Sequence, residues 1–285
     1  MTEQISLFDS PSEPSPLPVT IGRTMIEESA SRSALTRATG FMSDYDYTFN
    51  PYSGCSYGCT YCYAAFFAPD DKTQSEWGDW VKAKTAATDA IGRMRTDLRD
   101  KTVYMSSVTD PYQPVERRLG LVRQALSLFA DRGVRLVVQT RSPLVVRDID
   151  LFKQFEHLRI NMTVTTDSRA VQQAFEPHCP TNSRRLAAVT RLTEAGLNTC
   201  ITMTPLLPLD NPASFAERLR ATGVSRFVVQ PFHAARGRFV AGTGEAAKRL
   251  TREMGWDDSS YRAAVTVLRD GLPSLEEGRA GFRPE

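Results

Sequence analysis

From about residue 46 onward, short apolar runs rich in β-branched residues alternate with longer amphipathic stretches. Runs at 102–106, 134–140, 160–165, 199–204 and 226–230 read as buried parallel strands. Such strands are covered on both faces and lose the polar alternation of a half-exposed sheet. Between them, residues 119–131 place Leu121, Val122, Ala125, Leu128 and Phe129 at helical spacing and stop at Gly133. Residues 183–195 repeat the pattern with Leu186, Ala187, Val189, Thr190 and Leu192 before Gly196, and residues 215–221 end at Gly223. Glycine suits the left-handed position that closes a helix. Helix, glycine and strand thus recur in the order of successive βα units. A first strand near residues 47–50 brings the count to six. The order predicts an α/β fold with a parallel sheet and right-handed crossovers. A curved partial barrel and an open doubly wound sheet both satisfy it.

The flanks differ in character. Residues 1–18 are polar and rich in proline and serine, which predicts a disordered N-terminal tail with a linker at 9–18. Residues 19–45 form an N-terminal extension of mixed pattern, 46–235 the barrel, and 236–285 a helical C-terminal extension. Its helices, expected at 243–254 and 257–269, cap the core. A chain of 285 residues with 41% hydrophobic content can build one core and a small appendage. Lys and Arg number 35 against 33 Asp and Glu, so charge neither demands nor excludes nucleic acid. No apolar window approaches the ~20 residues of a membrane span, so no membrane partner is expected. The tail also lacks the basic and apolar segments of a secretory signal.

Three of the five cysteines, Cys55, Cys59 and Cys62, fall within eight residues; the others are Cys179 and Cys200. An odd count and a tight cluster point to a metal site in a reducing compartment, hence a cytoplasmic protein. The stretch Asn50-Pro51-Tyr52-Ser53-Gly54-Cys55-Ser56-Tyr57-Gly58-Cys59-Thr60-Tyr61-Cys62 has the spacing C-x3-C-x2-C. Three thiolates on such a loop can wrap one face of a [4Fe–4S] cube and leave one iron open to a small chelating molecule. Gly54 and Gly58 permit the turns and the close approach. The competing reading is structural zinc, which takes four N or S donors. Cys179, Cys200 or His178 would then have to supply the fourth from elsewhere in the fold.

With Tyr61 as the aromatic residue, the C-x3-C-x-aromatic-C stretch resembles the signature of the radical S-adenosylmethionine (SAM) superfamily. That resemblance implies a partial (β/α)6 barrel of the TIM type with the cluster loop after its first strand. It implies a [4Fe–4S] cluster on Cys55, Cys59 and Cys62 that binds the amino and carboxylate groups of SAM. Reductive cleavage then gives methionine and a 5′-deoxyadenosyl radical, which takes hydrogen from a substrate. A reducing partner such as flavodoxin or ferredoxin follows from the same chemistry.

Further stretches resemble the spore photoproduct lyase group of that superfamily. They are Ser107-Val108-Thr109-Asp110-Pro111-Tyr112-Gln113-Pro114, Gln139-Thr140-Arg141-Ser142, Phe175-Glu176-Pro177 with Arg184-Arg185, and Thr204-Pro205, in order over residues 46–235. By that resemblance Thr109 bonds the methionine or ribose part of SAM, and Asp110 and Thr204 join the cofactor-binding set. Arg141 stands where relatives carry a lysine facing the SAM carboxylate, which a guanidinium can hold bidentately. Thr163 stands where a serine contacts SAM, and Tyr61 lies beside the adenine. Tyr61 and Tyr63 match tyrosines of a radical relay. Ser107 occupies the place of a hydrogen-donating cysteine, and with the two tyrosines completes the expected catalytic set. A serine O–H bond is too strong to give up hydrogen readily, which weighs against repair of the spore thymine lesion.

The segment Gln4-Ile5-Ser6-Leu7-Phe8 resembles the peptide by which bacterial polymerases and repair proteins bind the DNA sliding clamp. It makes DNA the first substrate to consider, with Arg117, Arg118, Arg184, Arg185, Arg236 and Arg238 as phosphate contacts. Trp77, Trp80 and Phe232 can stack on a base or pack in a core. The leading function is therefore a hydrogen-abstracting, lyase-like radical SAM enzyme acting on a DNA lesion. One alternative gives the same chemistry a tRNA, peptide or small-molecule substrate. Another is a non-enzymatic, metal-stabilised protein that binds clamp or DNA. Outside the motif only Cys179 and Cys200 remain, too few for a second all-cysteine cluster. His157, His178 and His233 read as surface or satisfied histidines, and Lys82, Lys84, Asp70 and Asp71 as solvated positions.

Overall fold

The computed structural model describes residues 17–31, 33, 35–232 and 243–284. The Gln4 to Phe8 peptide, nearly all of the linker, His233, Arg236 and Arg238 lie outside the described residues. Twelve strands are described: β1 (Val19–Ile21), β2 (Thr24–Glu28), β3 (Thr36–Arg37), β4 (Tyr47–Phe49), β5 (Tyr52–Gly54), β6 (Trp80–Ala83), β7 (Thr102–Met105), β8 (Arg135–Thr140), β9 (Leu158–Thr163), β10 (Thr199–Met203), β11 (Arg226–Val229) and β12 (Leu275–Glu277).

Six of them, β4, β7, β8, β9, β10 and β11, pair side by side and parallel. They are the six expected strands, and together they make the partial (β/α)6 barrel. The helices Leu121–Asp131, Asn182–Glu194 and Pro212–Arg220 fall between strands where the glycine-terminated patterns put them. Each strand divides its residues between two environments, because successive side chains point to opposite faces. Phe49, Met105, Val138, Met162, Ile201 and Phe227 share one cluster with Val122, Phe129, Val189 and Leu219 of the helices. The opposite face turns into the barrel and is partly polar. There Tyr104 donates to Gln139 Oε1 at 3.0 Å, and Gln139 Nε2 donates to Thr163 Oγ1 at 2.6 Å and Thr202 Oγ1 at 3.0 Å. Buried polar groups persist because they satisfy one another.

A second sheet, in the order β1, β2, β6, β5, was not legible in the mixed pattern of residues 19–45. Its strands are three to five residues long, and Ile26, Tyr52, Val81 and Ala83 form its own small core. Strand β5 runs directly into Cys55, so this sheet supports the cysteine loop. Tyr52 Oη donates to the buried Glu116 Oε2 at 2.6 Å and pins β5 to the segment after β7.

Two expectations need correction here. The C-terminal extension is not only helical. After the helices Glu245–Glu253 and Asp258–Gly271 the chain adds β12, parallel to β11. Tyr45 Oη then bonds the Phe282 carbonyl at 2.6 Å, tying that end to the chain before β4. Lys84 is half-buried rather than solvated, and burial lowers its amine below the usual lysine range; Lys82 is exposed. Among the described residues no helix is long and apolar enough to cross a membrane.

Candidate active site at the C-terminal ends of the strands

The predicted site residues gather at one end of the barrel because each follows a strand: the cysteines after β5, Ser107 to Asp110 after β7, Arg141 after β8 and Thr204 after β10. Loops at that end carry the chemistry in barrels of this type. The cysteine loop is held by its backbone. Gly58 N bonds the Cys55 carbonyl at 3.2 Å, and Cys62 N bonds the Cys59 carbonyl at 3.1 Å. Thr60 N reaches the Phe175 carbonyl at 3.0 Å, and Ser56 N the Gln113 Oε1 at 2.9 Å. Gly54 has φ +77°, and a Cβ there would stand 2.5 Å from the Trp80 carbonyl. Only glycine lets β5 turn into the loop at that distance.

Cys55 and Cys59 are buried and Cys62 is half-buried. Burial pushes the Cys55 thiol well above its usual range, and Asp110 and the other two cysteines add to the shift. Burial and the charge of Cys59 push Cys62 up to about 11. The bond to Cys179 draws Cys59 down, helped by Arg141 and Arg185. Three thiolates so close together in a dry loop would repel one another, and bound iron would supply the compensating positive charge. One mononuclear ion would need its donors on one point. Among the described residues no three His, Cys, Asp or Glu side chains converge in that way. A cube spreads its thiolates over separate irons, and the three thiols of the C-x3-C-x2-C loop are a donor set of the kind it takes. Cys179, distant in sequence, brings its Sγ to 3.5 Å from Cys59 Sγ. Cys200 lies instead in the barrel interior with Tyr104 and Val228.

Beside the thiols lies a charge network that the sequence reading did not assemble. Glu176 is fully buried and receives Thr165 Oγ1 at 2.9 Å, the Tyr61 hydroxyl and the Arg185 guanidinium. Burial alone would raise the Glu176 carboxyl, but Arg185 and Arg141 outweigh it and hold it below the usual range. Arg185 also donates to the Pro180 and Thr163 carbonyls at 2.9 and 3.1 Å. It is therefore a structural cation and cannot serve as a phosphate contact, contrary to the expectation; Arg117, Arg118 and Arg184 are exposed. Glu176 answers Arg185, which leaves Arg141 in excess. Arg141 touches Tyr61 through Nη2 at 3.3 Å and lies 5.8 Å from its ring centroid, and its buried Nε has no partner. An under-partnered guanidinium beside three thiols is a seat for an anionic group such as a carboxylate.

The other predicted residues have more local duties. Thr109 donates to the Gly54 carbonyl at 2.6 Å and accepts from Gln113 at 3.1 Å, so it ties the β7 end to the cysteine loop. Buried Asp110 gathers the Thr140 hydroxyl and the Arg141 and Tyr112 amides at 2.7, 2.8 and 2.9 Å. Burial raises its carboxyl despite those bonds. Thr163 belongs to the Gln139 and Thr202 network inside the barrel, and half-buried Thr204 closes β10 before a cis Pro205. The Tyr63 hydroxyl donates to the Ser107 carbonyl, and Asn50 Nδ2 donates to Ser107 Oγ at 3.3 Å. Burial raises the phenols of both Tyr61 and Tyr63. Phe232 packs on Tyr61 with centroids 6.2 Å apart, and Trp77 packs on Trp80 at 5.7 Å. Asn50, Gln113 and Glu176 have no assigned role in the sequence and Arg185 has a different one, because only the fold reveals their partners.

Comparison with known proteins identifies the family and the fold. Residues 49–221 match the family model of the radical SAM superfamily. The uncharacterized protein MJ0683 of Methanocaldococcus jannaschii is 35% identical over 162 residues, 57% of this chain and 61% of that protein. The uncharacterized protein Rv2578c of Mycobacterium tuberculosis is 28% identical over 219 residues, 72% of this chain and 64% of that protein. The chain thus spans 61% to 64% of the length of these curated relatives. Among solved structures, spore photoproduct lyase complexed with dinucleoside spore photoproduct matches with a TM-score of 0.56 and 14% identity, covering 88% of this chain and 80% of that one. At that identity the likeness is one of fold. The family match covers more than half of the chain, and the six-stranded barrel and cysteine loop accord with it. The chain belongs to the radical SAM superfamily, whose enzymes use a [4Fe–4S] cluster, SAM and a reducing partner.

Proposed function

We propose that Cys55, Cys59 and Cys62 hold the cluster, that Arg141 receives the SAM carboxylate, and that the site takes hydrogen from a nucleic-acid lesion. The observation that carries the reading is Arg141, a guanidinium with a buried, unpartnered Nε set against Tyr61 beside the thiols of the cysteine loop. When bound, the cluster and SAM supply a 5′-deoxyadenosyl radical by reductive cleavage. The chain's own residues orient and shield. Thr109 and Gln113 fix the loop, Asp110 fixes the Arg141 backbone, and Glu176 with Arg185 holds the Tyr61 hydroxyl. Tyr61 and Tyr63 are protonated at neutral pH as ordinary phenols are, and burial raises both further. A protonated phenol is what a hydrogen-atom relay needs, and Ser107 lacks that capacity. Thr163 and Thr204 complete the cofactor-binding set in this reading.

Three observations support nucleic acid as the substrate class. The similar fold of spore photoproduct lyase is known with a dinucleoside bound. Phe66 and Phe67, 42% and 61% exposed just past Cys62, offer aromatic faces beside the loop. The clamp-like Gln4 to Phe8 peptide, outside the described residues, would bring the enzyme to DNA. Changing Leu7 and Phe8 to alanine is expected to abolish capture by a bacterial sliding clamp; undiminished capture contradicts the tether.

Arg141→Met is expected to weaken SAM binding about 10- to 100-fold, the worth of one charge-assisted hydrogen-bonded contact. Titration calorimetry on the iron-loaded protein measures it, with iron content unchanged. Equal SAM affinity in both proteins would remove Arg141 from the site. The substrate class is tested with deuterated thymidine oligonucleotides carrying photolesions. Deuterium appearing in 5′-deoxyadenosine supports the reading. Transfer only from tRNA, peptides or small molecules overturns it.

A further inference from the structure

The sheet that carries the cysteine loop also brings one N-terminal side chain against it from outside. In the turn between β1 and β2, Arg23 extends toward the facing pair Gly58 and Gly78. A Cβ on Gly58 would stand 2.8 Å from Arg23 Nη2, and one on Gly78 would clash with the same nitrogen. Both glycines sit in the left-handed region, with φ of +54° and +111°. The guanidinium therefore fills a slot that two side-chain-free residues keep open, one of them between Cys55 and Cys59. It is held there by Asp79, with Nε to Oδ1 at 3.1 Å. Thr24 Oγ1 on the Gly78 carbonyl at 2.8 Å and Met25 N on the Asp79 carbonyl at 2.8 Å fix the same corner. The charge also reaches the neighbouring exposed His178, whose pKa is lowered first by burial and then by Arg23.

We propose that Arg23 is a positioning residue for the cluster: it clamps the cysteine loop from outside and keeps a fixed positive charge beside it. The inference rests on the reading that Cys55, Cys59 and Cys62 carry the cluster. Planarity matters as well as charge, because a flat guanidinium lies in a two-glycine slot where a tetrahedral ammonium does not. A cation beside a redox centre favours the reduced, more negative form. Arg23 is 45% exposed and pairs with Asp79, so solvent and that carboxylate offset part of its field, and removing the guanidinium leaves the carboxylate uncompensated.

The test compares wild type with Arg23→Gln and Arg23→Lys, each loaded anaerobically with iron and sulfide. Spectroelectrochemistry is expected to show Arg23→Gln reduced about tenfold less at equal potential, a downward shift of ~59 mV for a one-electron couple. Arg23→Lys is expected to keep most of the wild-type potential. In cluster-free protein, amide exchange over residues 55–62 is expected to be about tenfold faster in both variants. A potential unchanged in Arg23→Gln, or exchange unchanged in both variants, overturns the inference while leaving the cluster assignment intact. A wild type that takes up no iron and sulfide overturns both.

Discussion

Cys59→Ala is expected to empty the site of its cluster and to lower SAM cleavage by at least three orders of magnitude, about 4 kcal/mol of lost transition-state stabilisation. Cys59 is the middle ligand of the spacing, and its flanking backbone is tied at both ends. Gly58 N reaches back to Cys55, and Thr60 N reaches across to the Phe175 carbonyl. Removing its thiol leaves two ligands for a group that needs three. The barrel does not depend on that sulfur. Its main core, built from Phe49, Met105, Val138, Ile201 and the helices, forms a separate cluster from the one containing Cys55, Cys59 and Tyr61. Iron analysis and thermal unfolding of the cluster-free proteins separate the two effects. Iron lost with the melting transition kept is the expected result. A Cys59→Ala protein that still holds a full cluster and cleaves SAM contradicts the ligand assignment.

The second large effect is on stability. Glu176→Gln is expected to cost about 3–5 kcal/mol, because it leaves the fully buried Arg185 without a counter-charge. For a chain of this size that lowers the melting temperature by roughly 5–8 °C. The double change Glu176→Gln with Arg185→Met should recover much of the loss, since a buried pair is replaced together more cheaply than it is broken. The pH dependence follows from the same pair. Arg185 and Arg141 hold the Glu176 carboxyl below its unfolded value. Its contribution is therefore complete above the unfolded pKa of about 4.3 and is lost as pH falls through the folded value. Glu176→Gln should flatten that part of the acid limb in unfolding curves measured below about pH 4.5. An unchanged melting point and an unchanged acid limb would remove the pair from the account.

What could be read from the sequence follows physical range. The six barrel strands and their helices were legible because period and glycine punctuation are local, and Phe49 or Val138 must face helices whatever else the chain does. The cysteine loop was legible because its spacing is local too. The supporting sheet was not, since β1, β2, β5 and β6 are too short to show a period and β2 finds its partner β6 more than fifty residues away. The same holds for the charge network: Phe175-Glu176-Pro177 was noticed as a stretch, but the bonds from Glu176 to Tyr61 and to Thr165 exist only in the fold. Arg185 was misread for that reason, as a pair of arginines on a helix looks solvated until one of them is buried. Thr109 illustrates the reverse. Its place at a strand end is evident from sequence, yet its hydroxyl is spent on the Gly54 carbonyl.

We propose that this chain cleaves SAM at a cluster on the Cys55 to Cys62 loop. The most direct measurement is 5′-deoxyadenosine formed by anaerobically reconstituted protein, reduced with dithionite in the presence of SAM. Product that depends on iron, on reductant and on all three loop cysteines is the expected result. A colourless protein that binds zinc and forms no 5′-deoxyadenosine would contradict it.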